Sequence, residues 1–125
     1  MLNKKNLLAI LIITLFSFII AGTAAAEEDY QTIPSDAQNQ EHLAAAIAHA
    51  EEALAAIKSG DGKAASTHTK ASVVELREIN SETWAPTLQP TTGKVRVSGI
   101  KAKKGDFDKA IAMLEPAITT LKNLK

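Results

Sequence analysis

No cysteine occurs anywhere in the 125 residues. That absence removes a disulfide framework, a thiolate metal site, covalent c-type haem attachment and a thiol nucleophile. Packing alone must hold the fold. An excess of one charge is missing too: 14 basic residues face 14 acidic ones, with no long block of either sign. Nucleic acid is therefore given no electrostatic footing. Catalytic motifs are equally lacking, with no Gly-x-Ser-x-Gly elbow, phosphate-cradling glycine loop, His-Glu-x-x-His or Glu-x-x-His ladder. The sequence points away from an enzyme.

What is present begins with an export signal. Met1-Leu2-Asn3-Lys4-Lys5 is a short positive stretch, and Leu7 to Ile20 is uncharged, with only Thr14 and Ser17 polar. The small-residue tract Ala21 to Ala26 ends at Glu27-Glu28-Asp29, so Ala24-x-Ala26 predicts cleavage before Glu27. The rival reading is a retained membrane anchor, because the apolar stretch approaches the roughly 20 residues that span a bilayer. Cleavage of residues 1–26 removes Lys4 and Lys5, leaving 12 basic against 14 acidic residues in a single domain. The expected location is periplasmic or secreted, with no membrane association after cleavage.

Residues 27–35 are acidic, polar and broken by Pro34, and read as a flexible leader. Beyond them Leu43, Ile47, Ala50, Leu54 and Ile57 recur at spacings of four and three, the signature of one apolar stripe on one helix. Lys58-Ser59-Gly60-Asp61-Gly62 ends it: Gly60 supplies a left-handed cap and Asp61 an N-cap for the next helix. A second helix is predicted from about Gly62 to Asn80, with Ala65, Ser72, Leu76 and Ile79 inward and Val73 beside them. Trp84, Pro86 and Pro90 mark residues 81–90 as a linker, with Trp84 across the bundle end. Residues 91–104 fit neither period cleanly, and Gly93 and Gly99 weaken a helix there. The last helix shows Phe107, Ile111, Leu114, Ile118 and Leu121 in four-three spacing, interrupted by Pro116.

Two stretches look alike. Lys58-Ser59-Gly60-Asp61 precedes Lys63-Ala64, and Lys103-Lys104-Gly105-Asp106 precedes Lys109-Ala110. A duplicated helical hairpin accounts for both, and it makes the segment after residue 90 helical. The predicted fold is all-α, a four-helix bundle over 36–125 built from hairpins at about 36–80 and 91–124.

His42, His49 and His68 are the only side chains whose neutral form is a good ligand for copper, nickel or zinc. His42 and His49 are seven residues apart, so they project from nearly the same side with backbones roughly 10 Å apart. One ion is not readily shared between them. His49 has Glu52 at i+3, and that carboxylate is its nearest oxygen ligand on the same helix. Residues equally far from a hairpin turn fall at similar heights, which places His68 within about one helical turn of His49. Read as residues alone, isolated histidines on helices are more often incidental, and Glu51-Glu52, Glu75-Glu78 and Asp106-Asp108 sit where a solvated face or helix start would put them.

The stretch Ala46-Ile47-Ala48-His49-Ala50-Glu51-Glu52-Ala53-Leu54, the Gly-centred turn, and His68-Thr69-Lys70-Ala71-Ser72 together resemble the small metal-binding protein family of bacterial periplasms. The similarity extends more thinly over about Asn39 to Asn80 and Gly99 to Asn123. It implies an exported, cysteine-free four-helix bundle that binds several divalent metals, copper prominent, through histidines in His-Ala-Glu-Glu-Ala units. This chain has three histidines, none after His68.

The expected function is low-specificity binding or buffering of a divalent transition metal by His42, His49, His68 and Glu52. Two other readings stand beside it. One is a non-catalytic scaffold that offers its helix faces or the Trp84 loop to an envelope protein. The other is a haem-binding bundle with a histidine and Met113 as axial ligands.

Overall fold

The computed structural model describes residues 36–125; the export signal and the leader expected over residues 1–35 lie outside them. Four helices follow in order: α1 (Asp36–Lys58), α2 (Gly62–Glu78), α3 (Ala85–Lys103) and α4 (Phe107–Lys122). The four-three stripes turn inward as their spacing requires. Leu43, Ala46, Ala50, Ala53 and Ile57 of α1 meet Ala65, Val73 and Leu76 of α2 and Ala110, Leu114, Ala117, Ile118 and Leu121 of α4. Ile47, Leu54, Ile79, Phe107 and Ile111 pack against this core from its edge. Each fully buried Leu or Ile contributes about 1.5–3 kcal/mol. Alanine fills much of the rest, so the helices can pack closely.

Helix α1 lies beside α2 and α4, and α3 also lies beside both, while α1 and α3 barely meet. This is a four-helix bundle with α1 and α3 on one diagonal. No strand occurs among the described residues, and no described helix is long and apolar enough to cross a membrane.

The two hairpin turns are built alike. Gly60 and Gly105 have φ of 77° and 84°, a left-handed conformation that glycine adopts without a Cβ clash. In the first turn the Gly60 N–H donates to Ile57 O and the Asp61 N–H to Ala56 O; in the second, Gly105 donates to Ala102 O and Asp106 to Lys101 O. Both are Schellman caps, with the same bonds at the same offsets. Asp61 also accepts from the Ala64 N–H at 3.0 Å and caps α2 as its sequence predicts.

Helix α3 is longer than its sequence indicates. It starts at Ala85, so the connection is six residues, Ile79 to Trp84, and the predicted linker over 81–90 is mostly helix. Pro86 falls in the first turn, where its missing N–H would have had no intrahelical partner. Pro90 forfeits only a bond to the carbonyl of Pro86, itself an exposed residue. Glycine has a packing purpose here: a Cβ at Gly99 would overlap the Thr69 hydroxyl, and one at Gly62 would overlap Ala102 O. Both mark places where α2 and α3 approach too closely for a side chain.

Of the six described buried polar residues, Asn39, Thr69, Ser72, Thr91 and Ser98 have hydrogen-bond partners for their side chains. The Ser72 hydroxyl donates to Ala46 O at 2.8 Å, tying α2 to α1, and Ser98 and Thr69 donate to carbonyls of their own helices. Buried Asn39 grips the far end of the first hairpin twice. Its amide donates to Asn80 O and its Oδ1 accepts from the Asn80 N–H, both at 3.0 Å. Trp84 is buried across the bundle end, its indole N–H donating to Lys125 O at 2.9 Å.

Candidate metal centre

Three side chains converge on the outer edge of the α1–α2 seam. His49 and Glu52 stand one turn apart on α1, and His68 reaches them from α2. Each offers one ligand atom, and the three atoms lie within 4.8 Å of one another. Glu52 Oε2 is 2.9 Å from His68 Nδ1 and 4.0 Å from His49 Nδ1. The first is a hydrogen bond; the second is too long for one.

His49 is the anomaly. Its ring is about one third exposed, yet Nδ1 is shut off from water and has no hydrogen-bond partner. A shielded imidazole nitrogen left this way carries an unmet desolvation cost of about 1–3 kcal/mol. A cation held between it and Glu52 would meet that need. Ligand atoms 2.0–2.1 Å from a tetrahedral ion stand roughly 3.3 Å apart. The two spacings from Glu52, 2.9 and 4.0 Å, bracket that value.

The hairpin register brings these residues together. His49 lies ten residues before Ser59 and His68 nine after it. The Schellman turn and the Asn39–Asn80 clamp hold that register at either end.

Each residue expected to bind metal has a definite place. His49, Glu52 and His68 form the group. His42 does not join them. It lies two turns toward the start of α1, where its Nδ1 pairs with Glu75 Oε2 at 2.7 Å. Glu75 was read as part of a solvated face, although the register locates it: His42 is seventeen residues before Ser59 and Glu75 sixteen after. Met113 lies on α4, whereas the histidines lie on α1 and α2. Trp84 is a core residue, not a presented one.

Two imidazoles and a carboxylate make an N/O donor set that could hold a metal ion. Glu52 is 56% exposed, so the third ligand is open to water and to exchange. No family model matches the chain, and no curated protein or solved structure matches it either.

Proposed function

We propose that this protein binds a divalent transition metal reversibly at His49, Glu52 and His68, and that it buffers such ions outside the cytoplasm. The observation that carries this reading is the convergence of three ligand atoms from two helices around an imidazole nitrogen that has no partner of its own. The likeness of His49 to Ala53 to the metal-binding repeat, and the export signal read in the first 26 residues, support the same assignment.

Three protein ligands leave a coordination position for water or a small anion. An ion at the surface of a seam, with one ligand half exposed, is held less tightly than one in a closed four-ligand site. Exchangeable binding suits buffering or delivery. Ligation is the chemistry assigned to the site, and turnover of a substrate forms no part of it.

Calorimetric titration of residues 27–125 with copper, nickel and zinc at neutral pH tests the proposal. One saturable site is expected, lost when His49 and His68 are both replaced by alanine. Binding should also stabilise the bundle, by about 2.7 kcal/mol at a free-metal concentration a hundredfold above Kd. Unaltered affinity in the double variant would exclude this site.

A further inference from the structure

The outer surface of the α2–α3 seam differs from the rest of the bundle. Among the described residues only two large apolar side chains are exposed, Val74 at 57% and Ile100 at 42%. Both line one groove of about 350 Å³. Lys70, Arg77 and Arg96 line it as well, and no acidic residue does. None of these three cations forms an ion pair with a described residue, whereas Lys58, Lys109 and Lys122 each do. Two exposed apolar side chains within a cationic rim form a surface suited to something apolar and negatively charged.

The chain itself carries a match. Helix α3 has Lys94, Arg96, Lys101 and Lys103 and no acidic residue, while its diagonal counterpart α1 has Asp36, Glu41, Glu51 and Glu52 against Lys58 alone. Along α1, Ala37, Glu41, Ala44, Ala48, Glu51 and Ala55 recur at spacings of four and three, and all are exposed. Alanines let another helix approach closely, and Glu41, which pairs with no described residue, supplies the opposite charge. Glu51 pairs with Lys122 on α4. The stripe therefore lies toward the α1–α4 side of the bundle, opposite the groove.

We propose that the protein associates head to tail with copies of itself, the alanine–glutamate stripe of one α1 seating in the α2–α3 groove of the next. The two surfaces differ and lie on opposite sides, so the contact is heterologous: each added copy leaves one groove and one stripe free. Growth is open-ended, not a closed two-fold pair. The charge match makes it sensitive to salt. The metal ligands His49, Glu52 and His68 belong to neither surface, so the proposal stands apart from the metal reading.

Sedimentation velocity of residues 27–125 over a concentration series, at low and high salt, tests this. At low salt the average mass should climb past that of a dimer, and it should fall back to monomer at high salt. A groove variant, Arg96→Glu with Ile100→Glu, and a stripe variant, Ala48→Arg, should each be monomeric alone. Mixed, they should form a one-to-one dimer and stop there, because one intact groove and one intact stripe remain. All three positions are exposed, and circular dichroism checks that each variant keeps its helices. A monomer under every condition, even one that captures anionic vesicles, overturns the proposal. So does association that survives in the groove variant, or a mixture that fails to pair.

Discussion

His68 Nδ1 stands 2.9 Å from Glu52 Oε2, joining two helices across the seam that also holds His49. Glu52 faces both imidazoles, so its charge matters to each. Replacing it with glutamine keeps the shape and removes the charge. Metal affinity in Glu52→Gln should fall roughly tenfold, about 1.4 kcal/mol, while the metal-free bundle loses less than about 1 kcal/mol because the pair is solvent-screened. Calorimetry with and without metal separates the two effects. Equal affinity in the variant would remove Glu52 from the ligand set.

Acidification should release the ion. A protonated imidazole has no lone pair to donate, so proton and metal compete for the same nitrogens. Where both histidines carry protons, affinity should drop by up to about a hundredfold per pH unit, and by less at higher pH. Titrations at stepped pH values measure this directly. A profile that stays flat through the imidazole range, about pH 7.5 to 5.5, and falls only near about pH 4 would mean that carboxylates hold the ion.

His42 offers an internal control. It pairs with Glu75, two turns from His49, so His42→Ala should leave metal stoichiometry and affinity unchanged. Stability should fall by no more than about 1 kcal/mol, since both side chains are roughly one third exposed. A large loss of affinity in this variant would place the ion elsewhere along the seam.

Two glycines of the same helix should respond oppositely to alanine. At Gly99 the added methyl meets Thr69, whose hydroxyl is already committed to Ser66 O. Forcing α2 and α3 apart there should cost about 1–3 kcal/mol. At Gly93 a Cβ meets nothing, and alanine should add about 0.5–1 kcal/mol through its better helix propensity. Urea denaturation of both variants checks the pair, and a stabilising Gly99→Ala would contradict the close approach described for these helices.

The helices α1, α2 and α4 were legible because their apolar residues keep a period that only one face of a helix satisfies. Helix α3 was half hidden. Pro86, Pro90, Gly93 and Gly99 lower its intrinsic propensity; the first-turn position of Pro86 removes one cost locally, and the close packing of Gly99 on Thr69 is tertiary. At the candidate site, counting outward from the Gly60-Asp61 turn set His68 within about one helical turn of His49. The same count sets Glu75 within about one turn of His42. That partnership was missed because Glu75, beside Glu78 on a polar face, looked solvated. The unpartnered state of His49 Nδ1 had no signal in the sequence, since it depends on which atoms surround the ring.

The twofold grip of Asn39 on Asn80 has a consequence for how this chain can vary. Together with the turn at Gly60 it fixes the length of each helical arm between two fasteners. One residue inserted into either arm would rotate everything beyond it by about 100°, carrying one ligand out of reach of the others and setting the clamp against a different backbone group. Substitutions along the arms leave this measure intact, and insertions or deletions do not. The hairpin should therefore tolerate wide changes at its exposed positions while keeping its residue count between Asn39 and Asn80 unchanged.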